Sequence, residues 1–134
     1  MKNQLDQSID FFFFYFTSED CAPDGKWIIL ENTSLEQDVD VSSWVLRRNA
    51  RGFPEITYTI PLNLVMRHGS DLKIFARSAP DAQHRPPYQV INDQLDSWGM
   101  STECETKLFN DSGVERAVHT QKIVFGSETT RNAP

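Results

Sequence analysis

Short stretches in which apolar and polar residues alternate constrain the fold of this chain more than any other feature. The clearest is Ile56-Thr57-Tyr58-Thr59-Ile60, where Ile56, Tyr58 and Ile60 would lie on one face of a strand. Pro61 then ends this strand or keeps it at a sheet edge, because proline has no backbone N–H to donate. Apolar residues do not recur with a helical period over any long window, so the sequence predicts an all-β protein.

Other short runs of strand-forming residues occur at 27–30, 44–46, 72–76, 88–91, 106–109 and 117–121. The last two flank Asn110-Asp111-Ser112-Gly113, whose residues tolerate the positive φ of a tight hairpin turn. We therefore predict seven to nine short antiparallel strands that pack as two sheets in a β-sandwich. A length of 134 residues suits one such domain.

The N-terminal region contains a run of consecutive aromatic residues, Phe11-Phe12-Phe13-Phe14-Tyr15-Phe16. The run is too short for a membrane helix, which needs about 20 apolar residues, and the acidic residues that flank it do not fit a signal peptide. Bulky aromatic side chains favour a strand, but uridine-rich Phe and Tyr codons also fit a translated pyrimidine tract. We divide the chain into an atypical segment 1–16, disordered or an artefact of gene prediction, a sandwich domain 17–125, and a polar tail 126–134.

The charge balance bears on the class of partner. The chain has 19 acidic and 13 basic residues, which gives a formal net charge of −6 at pH 7. Non-specific binding to nucleic acid needs a basic surface that neutralises phosphates, so this balance argues against it.

Two features bear on export from the cell. Cys21 and Cys104 are far apart in the sequence, and we predict two reduced thiols, with a single disulfide as the alternative. Asn32-Thr33-Ser34 and Asn110-Asp111-Ser112 match the glycosylation signal, but without a signal peptide we interpret both as chance matches.

Catalytic, cofactor and metal sites are not predicted. His68, His84 and His119, taken with Asp93 and Asp96, fit no ligand spacing of a metal site. The serines lack the glycine pattern of a nucleophile elbow, and the chain has no glycine-rich phosphate loop. We therefore predict that the protein is not an enzyme and needs no cofactor.

A small basic cluster, Arg47, Arg48 and Arg51, lies near a predicted strand end. We interpret it as a candidate protein-interaction patch for acidic surfaces. The alternative is a solvated strand edge that discourages aggregation between sheets. If the patch binds partners, charge reversal at Arg48 should weaken binding without unfolding the domain.

Several segments, in this order, resemble the lamin tail domain. They are Gly25-Lys26-Trp27-Ile28-Ile29-Leu30-Glu31-Asn32, Ser43-Trp44-Val45-Leu46-Arg47-Arg48, Thr57-Tyr58-Thr59-Ile60-Pro61, His84-Arg85-Pro86-Pro87, Ser97-Trp98-Gly99 and Asn110-Asp111-Ser112-Gly113-Val114-Glu115-Arg116-Ala117. The resemblance covers about residues 24–121 and is closest to the lamin-like tails of invertebrate cytoplasmic intermediate filament proteins.

The resemblance implies an immunoglobulin-like β-sandwich, in agreement with the strand pattern. It implies that Trp44 is the central core tryptophan, with Leu46 on the same face, and that Cys104 is a small core hydrophobe. With the strand pattern, the predicted structural core is Trp44, Leu46, Ile56, Tyr58, Ile60, Leu72, Ile74, Cys104 and Leu108.

Departures from the family pattern refine the expected function. The sequence has no coiled-coil rod and no C-terminal prenylation box, and Thr59 and Asn63 stand where lamins have an arginine and a lysine. We expect a non-enzymatic structural and protein-interaction module, the tail of a cytoplasmic intermediate filament protein. Its partners would be other intermediate filament or cytoskeletal proteins, not a small-molecule substrate, nucleic acid or a membrane. The alternatives are a nuclear lamin-type tail that contacts chromatin and a free-standing adhesion or adaptor sandwich.

Overall fold

The computed structural model describes residues 14–16, 25–99 and 103–122, and these residues form strands, turns and loops without a helix. The strands are β1 (Phe14–Phe16), β2 (Trp27–Asn32), β3 (Val39–Asp40), β4 (Val45–Ala50), β5 (Ile56–Thr59), β6 (Val65–Met66), β7 (Asp71–Ala76), β8 (Gln89–Asn92), β9 (Glu103–Phe109) and β10 (Glu115–Lys122). The described part of the chain thus has ten strands instead of the predicted seven to nine. Strands β3 and β6 have two residues each, too few to show an alternating pattern in the sequence.

The strands form two four-stranded sheets and one small ribbon. The first sheet has the order β1-β2-β7-β8, the second sheet has the order β10-β9-β4-β5, and β3 pairs with β6. Neighbouring strands are antiparallel except for β7 and β8, which are parallel. The prediction that all strands are antiparallel was therefore wrong for this pair. A connection of about a dozen residues, the length that a parallel crossover needs, joins these two strands.

The core lies between the two sheets, because alternate residues of each strand turn inward. In β2 the buried residues are Ile28, Leu30 and Asn32, and in β9 every second residue is buried. Of the predicted core residues, the structure buries Trp44, Leu46, Ile60, Leu72, Ile74, Cys104 and Leu108, whereas Ile56 and Tyr58 are partly buried and pack against the core.

A second tryptophan, absent from the predicted core set, is the largest fully buried side chain. Trp98 is 0% exposed, and its indole Nε1 donates a hydrogen bond to the Ile74 carbonyl oxygen at 3.0 Å. This bond satisfies the polar atom of a side chain that is otherwise surrounded by the core. Trp98 therefore fixes the loop after β8 onto the sandwich.

The end of the aromatic run belongs to the first sheet. Phe14 is 3% exposed and its ring lies 5.2 Å from that of Trp44, at an interplanar angle of 63°. Strand β1 pairs with β2 from Phe14↔Asn32 to Phe16↔Leu30, so the sandwich includes residues before the predicted start at 17. The remaining predictions for 1–13 and for the tail 126–134 fall outside the described residues, as does Cys21.

Candidate protein-interaction site

The predicted basic patch does not lie on one surface. Arg47 and Arg51 are exposed, but Arg48 is 3% exposed. In β4 the inward residues are Leu46, Arg48 and Ala50, so Arg48 shares the core face and is not available to a partner. The alternation already placed Leu46 inward, and the same count of two would have placed Arg48 there.

Arg48 instead joins the second sheet to the loop that carries Trp98. Its Nε donates to the Trp98 carbonyl oxygen at 2.8 Å, and its Nη1 donates to Thr106 Oγ1 at 2.7 Å. Hydrogen bonds from a guanidinium are stronger than those between neutral groups, and a buried charge requires them. Charge reversal at Arg48 would therefore disturb the fold, contrary to the expectation of weaker partner binding alone.

The outer face of the second sheet carries charges of both signs that pair with each other. Lys107 Nζ lies 3.6 Å from Glu115 Oε1, and Glu103 contacts Arg51 at 3.1 Å and Lys122 at 3.5 Å. Exposed pairs like these contribute only about 0–1 kcal/mol each to stability. Their consequence is electrostatic, because they leave this face without a concentrated positive charge.

A groove of about 490 Å³ opens on the side of the sandwich where β5 and β8 are the outer strands. Its walls are residues 53–57 on one side and residues from Asn92 to Gly99 on the other. The apolar lining consists of Phe53, Pro54, Ile56 and Leu95. Among the described residues that line the groove, the charged ones are Glu55 and Asp96, and both are acidic.

Arg77 holds the loop that forms the second wall. Its Nε donates to Asp96 Oδ1, and its Nη1 donates to the Asp93 carbonyl oxygen at 3.2 Å. The hydrogen bond from Arg77, and then its charge, lower the pKa of Asp96 below its usual value. Asp96 is therefore a carboxylate at neutral pH, and its position does not depend on a partner.

Tyr58 packs behind the groove, with its ring edge-on to Trp98 at a centroid distance of 6.0 Å. Burial, and then the charge of Asp93, raise the pKa of Tyr58 to about 12. The phenol therefore stays protonated at neutral pH.

The histidines have separate surroundings. His68 Nδ1 lies 2.8 Å from Asp38 Oδ1, His84 Nδ1 accepts from the Ile91 N–H at 3.3 Å, and His119 is half-buried on β10. Within residues 14–16, 25–99 and 103–122, no three His, Cys, Asp or Glu residues are grouped so that they could hold a metal ion. The same residues include no helix of the length and apolarity that a membrane span requires.

The asparagines of the two glycosylation signals have different structural roles. Asn32 is 0% exposed, and its Nδ2 donates to the carbonyl oxygens of Gln37 and Met66, both at 3.0 Å. In the folded domain this amide cannot accept a glycan. Asn110 Oδ1 accepts from the N–H groups of Ser112 and Val114 at 2.9 Å, so the predicted hairpin turn is present.

The sequence matches the Lamin Tail Domain family over residues 17–122. This chain belongs to the lamin tail domain family. The match confirms the resemblance found in the sequence, and with the two packed sheets it confirms an immunoglobulin-like β-sandwich.

This chain is also similar to several nematode intermediate filament proteins. It is 43% identical over 103 residues to intermediate filament protein ifa-1 of Caenorhabditis elegans, covering 77% of this chain and 18% of the relative. Identity to intermediate filament protein A of Ascaris suum is 38% over 104 residues, covering 78% of this chain and 21% of the relative. Identity to intermediate filament protein B of Ascaris suum is 40% over 108 residues, covering 81% of this chain and 18% of the relative. The chain thus spans about a fifth of the length of these relatives.

Proposed function

We propose that this lamin tail domain is the tail module of an intermediate filament protein, where it decorates the filament and contacts other proteins without catalysing a reaction. The observation that carries the proposal is the family match together with the names of the relatives. A rigid sandwich with a continuous core supports this role, because it presents its edges and loops in a fixed geometry.

The proposed location is the cytoplasmic cytoskeleton, and the proposed partners are other filament or cytoskeletal proteins. The net charge of −6 and the paired charges on the outer face of the second sheet favour protein partners over chromatin. Thr59 and Asn63, both exposed, stand where the lamin pattern has basic residues, which also disfavours the nuclear alternative. The buried Asn32 disfavours an exported, glycosylated adhesion domain.

An antibody against residues 24–121 tests the proposal in the source tissue. We expect an immunoblot band several times heavier than 15.4 kDa, since the chain spans about a fifth of its relatives. We also expect immunogold particles along cytoplasmic filaments, and antibody pre-absorbed with the folded domain is the control. A band near 15.4 kDa with label away from filaments would overturn the proposal in favour of a free-standing adaptor, and label at the nuclear rim would favour the lamin-type alternative.

A further inference from the structure

Strand β5 leaves one side of its backbone open to pairing. It is the outer strand of the second sheet, and within the described part of the chain it pairs with β4 alone. The Ile60 N–H donates to the Trp44 carbonyl oxygen at 2.8 Å, which sets the alternation along this edge. Tyr58 and Ile56 then direct their backbone groups toward β4, whereas Thr57 and Thr59 direct theirs away from the sheet.

Thr57 also lines the groove described above, so a strand added at this edge would meet side-chain contacts as well. The groove offers apolar surface from Ile56, Leu95 and Phe53, and Phe53 is 48% exposed. An extended segment presents alternate side chains to such a surface while its backbone bonds to the edge. These two features together fit a peptide strand better than a compact ligand.

The charge of the groove defines the chemistry of its occupant. Glu55 and Asp96 line it, and Asp93 lies near enough to raise the pKa of Tyr58. Arg77 and, more weakly, Lys26 offset the charge of Asp96, but no ion pair within the described residues offsets that of Glu55. A positively charged segment would therefore complement the groove, and an acidic one would be repelled.

Two other segments of the 134-residue sequence, and a second copy of it, do not meet that requirement. Residues 17–24 contain three acidic residues and no basic one, and residues 123–134 contain one of each. A second copy brings a net charge of −6. Compared with these two segments and with a second copy, a basic segment of another protein matches the charge of the groove better.

We propose that an extended, basic segment of a partner protein adds to the edge of β5 and lies along the groove between β5 and the loop after β8. This inference rests on the proposed function, because it identifies the surface and the partner chemistry of its protein contacts. The partner's backbone bonds to Thr57 and Thr59, its apolar side chains pack on Ile56 and Leu95, and its basic side chains lie beside Glu55. Strand addition supplies affinity, and charge supplies selectivity.

A pair of substitutions at one position tests the backbone contact. The full chain would be titrated against a labelled synthetic peptide that alternates lysine and valine, and binding would be followed by fluorescence polarisation. Thr57→Pro removes the outward N–H and is tolerated at an edge strand, whereas Thr57→Ala keeps it. We expect Thr57→Pro to weaken binding at least about tenfold and Thr57→Ala to leave it nearly unchanged. Equal binding by the two variants would overturn the proposal.

A modified peptide gives the same test without altering the protein. Methylation of alternate backbone nitrogens removes half of the peptide's donors and keeps its charge, so we expect binding to fall about tenfold for one of the two alternate sets. Undiminished binding of both methylated peptides would mean that charge alone attracts the peptide, and strand addition would be wrong.

Substitutions at Glu55 test the selectivity. Glu55→Lys should weaken binding of the lysine peptide more than Glu55→Gln does, and a matched peptide that alternates glutamate and valine should bind the wild-type chain weakly or not at all. Tight binding of the glutamate peptide would contradict the proposed charge match. These assays need no filament, so they separate the two proposals. If the wild-type chain labels filaments but does not bind the lysine peptide, only the groove proposal is wrong. If it binds the peptide but does not label filaments, only the proposed filament role is wrong.

Discussion

Arg48 is a charged residue in the core of the sandwich, 3% exposed. A guanidinium inside a sandwich loses its hydration, and the bonds to the Trp98 carbonyl and to Thr106 Oγ1 offset that loss. Arg48→Glu would put a carboxylate beside these acceptors, so we expect it to cost about 3–5 kcal/mol of unfolding free energy. Urea denaturation followed by tryptophan fluorescence measures this cost.

The neighbouring residue supplies the matched control for that experiment. Arg47 is exposed on the same strand, and Arg47→Glu makes the same change of charge in solvent. Surface substitutions of this kind usually change the unfolding free energy by no more than about 0.5 kcal/mol. If both variants unfold at the same urea concentration, Arg48 does not have the structural role described here.

We expect His119 to make the stability depend on pH. Burial, and then the charge of Arg48, lower the pKa of its imidazole below the usual 6.5. Below pH 6.5 the unfolded chain therefore binds a proton that the folded chain does not, and the unfolding free energy falls as the pH decreases through this window. Carboxylates with lowered pKa values, such as Asp38 and Asp40, act in the same direction but at lower pH, below 3.8.

Replacement of His119 isolates its contribution. We expect His119→Gln to flatten the dependence of the urea midpoint on pH between about 7 and 5, compared with the wild type measured in the same buffers. Parallel slopes for the His119→Gln variant and the wild type would assign the pH dependence to other groups.

The burial of Arg48 could be predicted from the sequence, whereas the burial of Trp98 could not. Alternation along β4 is a local rule, and counting two residues from Leu46 was enough to find that Arg48 faces inward. The burial of Trp98 follows from no such count, because Trp98 lies in a loop and packs against residues far away in sequence. Loop residues become predictable only when the partners across the core are known.

At the scale of elements, β1 is the least expected part of the sandwich. A bulge between Glu115 and Ala117 interrupts the pairing of β10, and the guanidinium of Arg116 lies 5.1 Å from the Trp44 ring centre and 6.0 Å from that of Phe14. The three side chains form a cluster at the side of the sandwich, in which the rings of Phe14 and Trp44 meet edge to face. The aromatic run thus contributes core surface through Phe14.

Truncation of Phe14 measures what β1 contributes to stability. We expect Phe14→Ala to cost about 3–5 kcal/mol, because it removes a buried ring and exposes Trp44. Leu35→Ala is the control, since that leucine is 90% exposed. Thermal and urea unfolding of both variants give the comparison. A Phe14→Ala variant as stable as the Leu35→Ala variant would mean that the sandwich does not need β1.

Some strands and turns could be predicted from local sequence patterns, whereas the pairing of distant strands could not. Strands such as β5 have enough residues for alternation to appear in the sequence, and the turn before β10 has its own residue signal. The parallel pairing of β7 and β8 depends instead on where a long crossover returns, which no local pattern encodes. The groove beside β5 has the same origin, since its two walls come from different sheets.

At the scale of the whole molecule, charge decides which polymers the domain can approach. The net charge of −6 repels phosphate, and Lys107 and Lys122 are paired with glutamates on the second sheet. We therefore expect negligible binding to duplex DNA at physiological salt, measured by fluorescence anisotropy. Tight binding that weakens steeply with added salt would instead support a chromatin-facing tail.

A charge-restoring variant gives this last experiment a positive control within the same fold. Thr59→Arg combined with Asn63→Lys places basic residues at two exposed positions where the lamin pattern has them. If both side chains reach phosphates, the logarithm of the binding constant should fall with the logarithm of salt concentration with a slope about 2 units steeper than for the wild type. We expect stronger DNA binding at low salt. The unfolding free energy should fall by no more than about 1 kcal/mol: both positions are exposed, but Asn63 has a positive φ of 60°, which asparagine adopts more readily than lysine. If the double variant binds no better than the wild type, these two positions do not explain the preference for protein partners, and the overall negative charge must explain it alone.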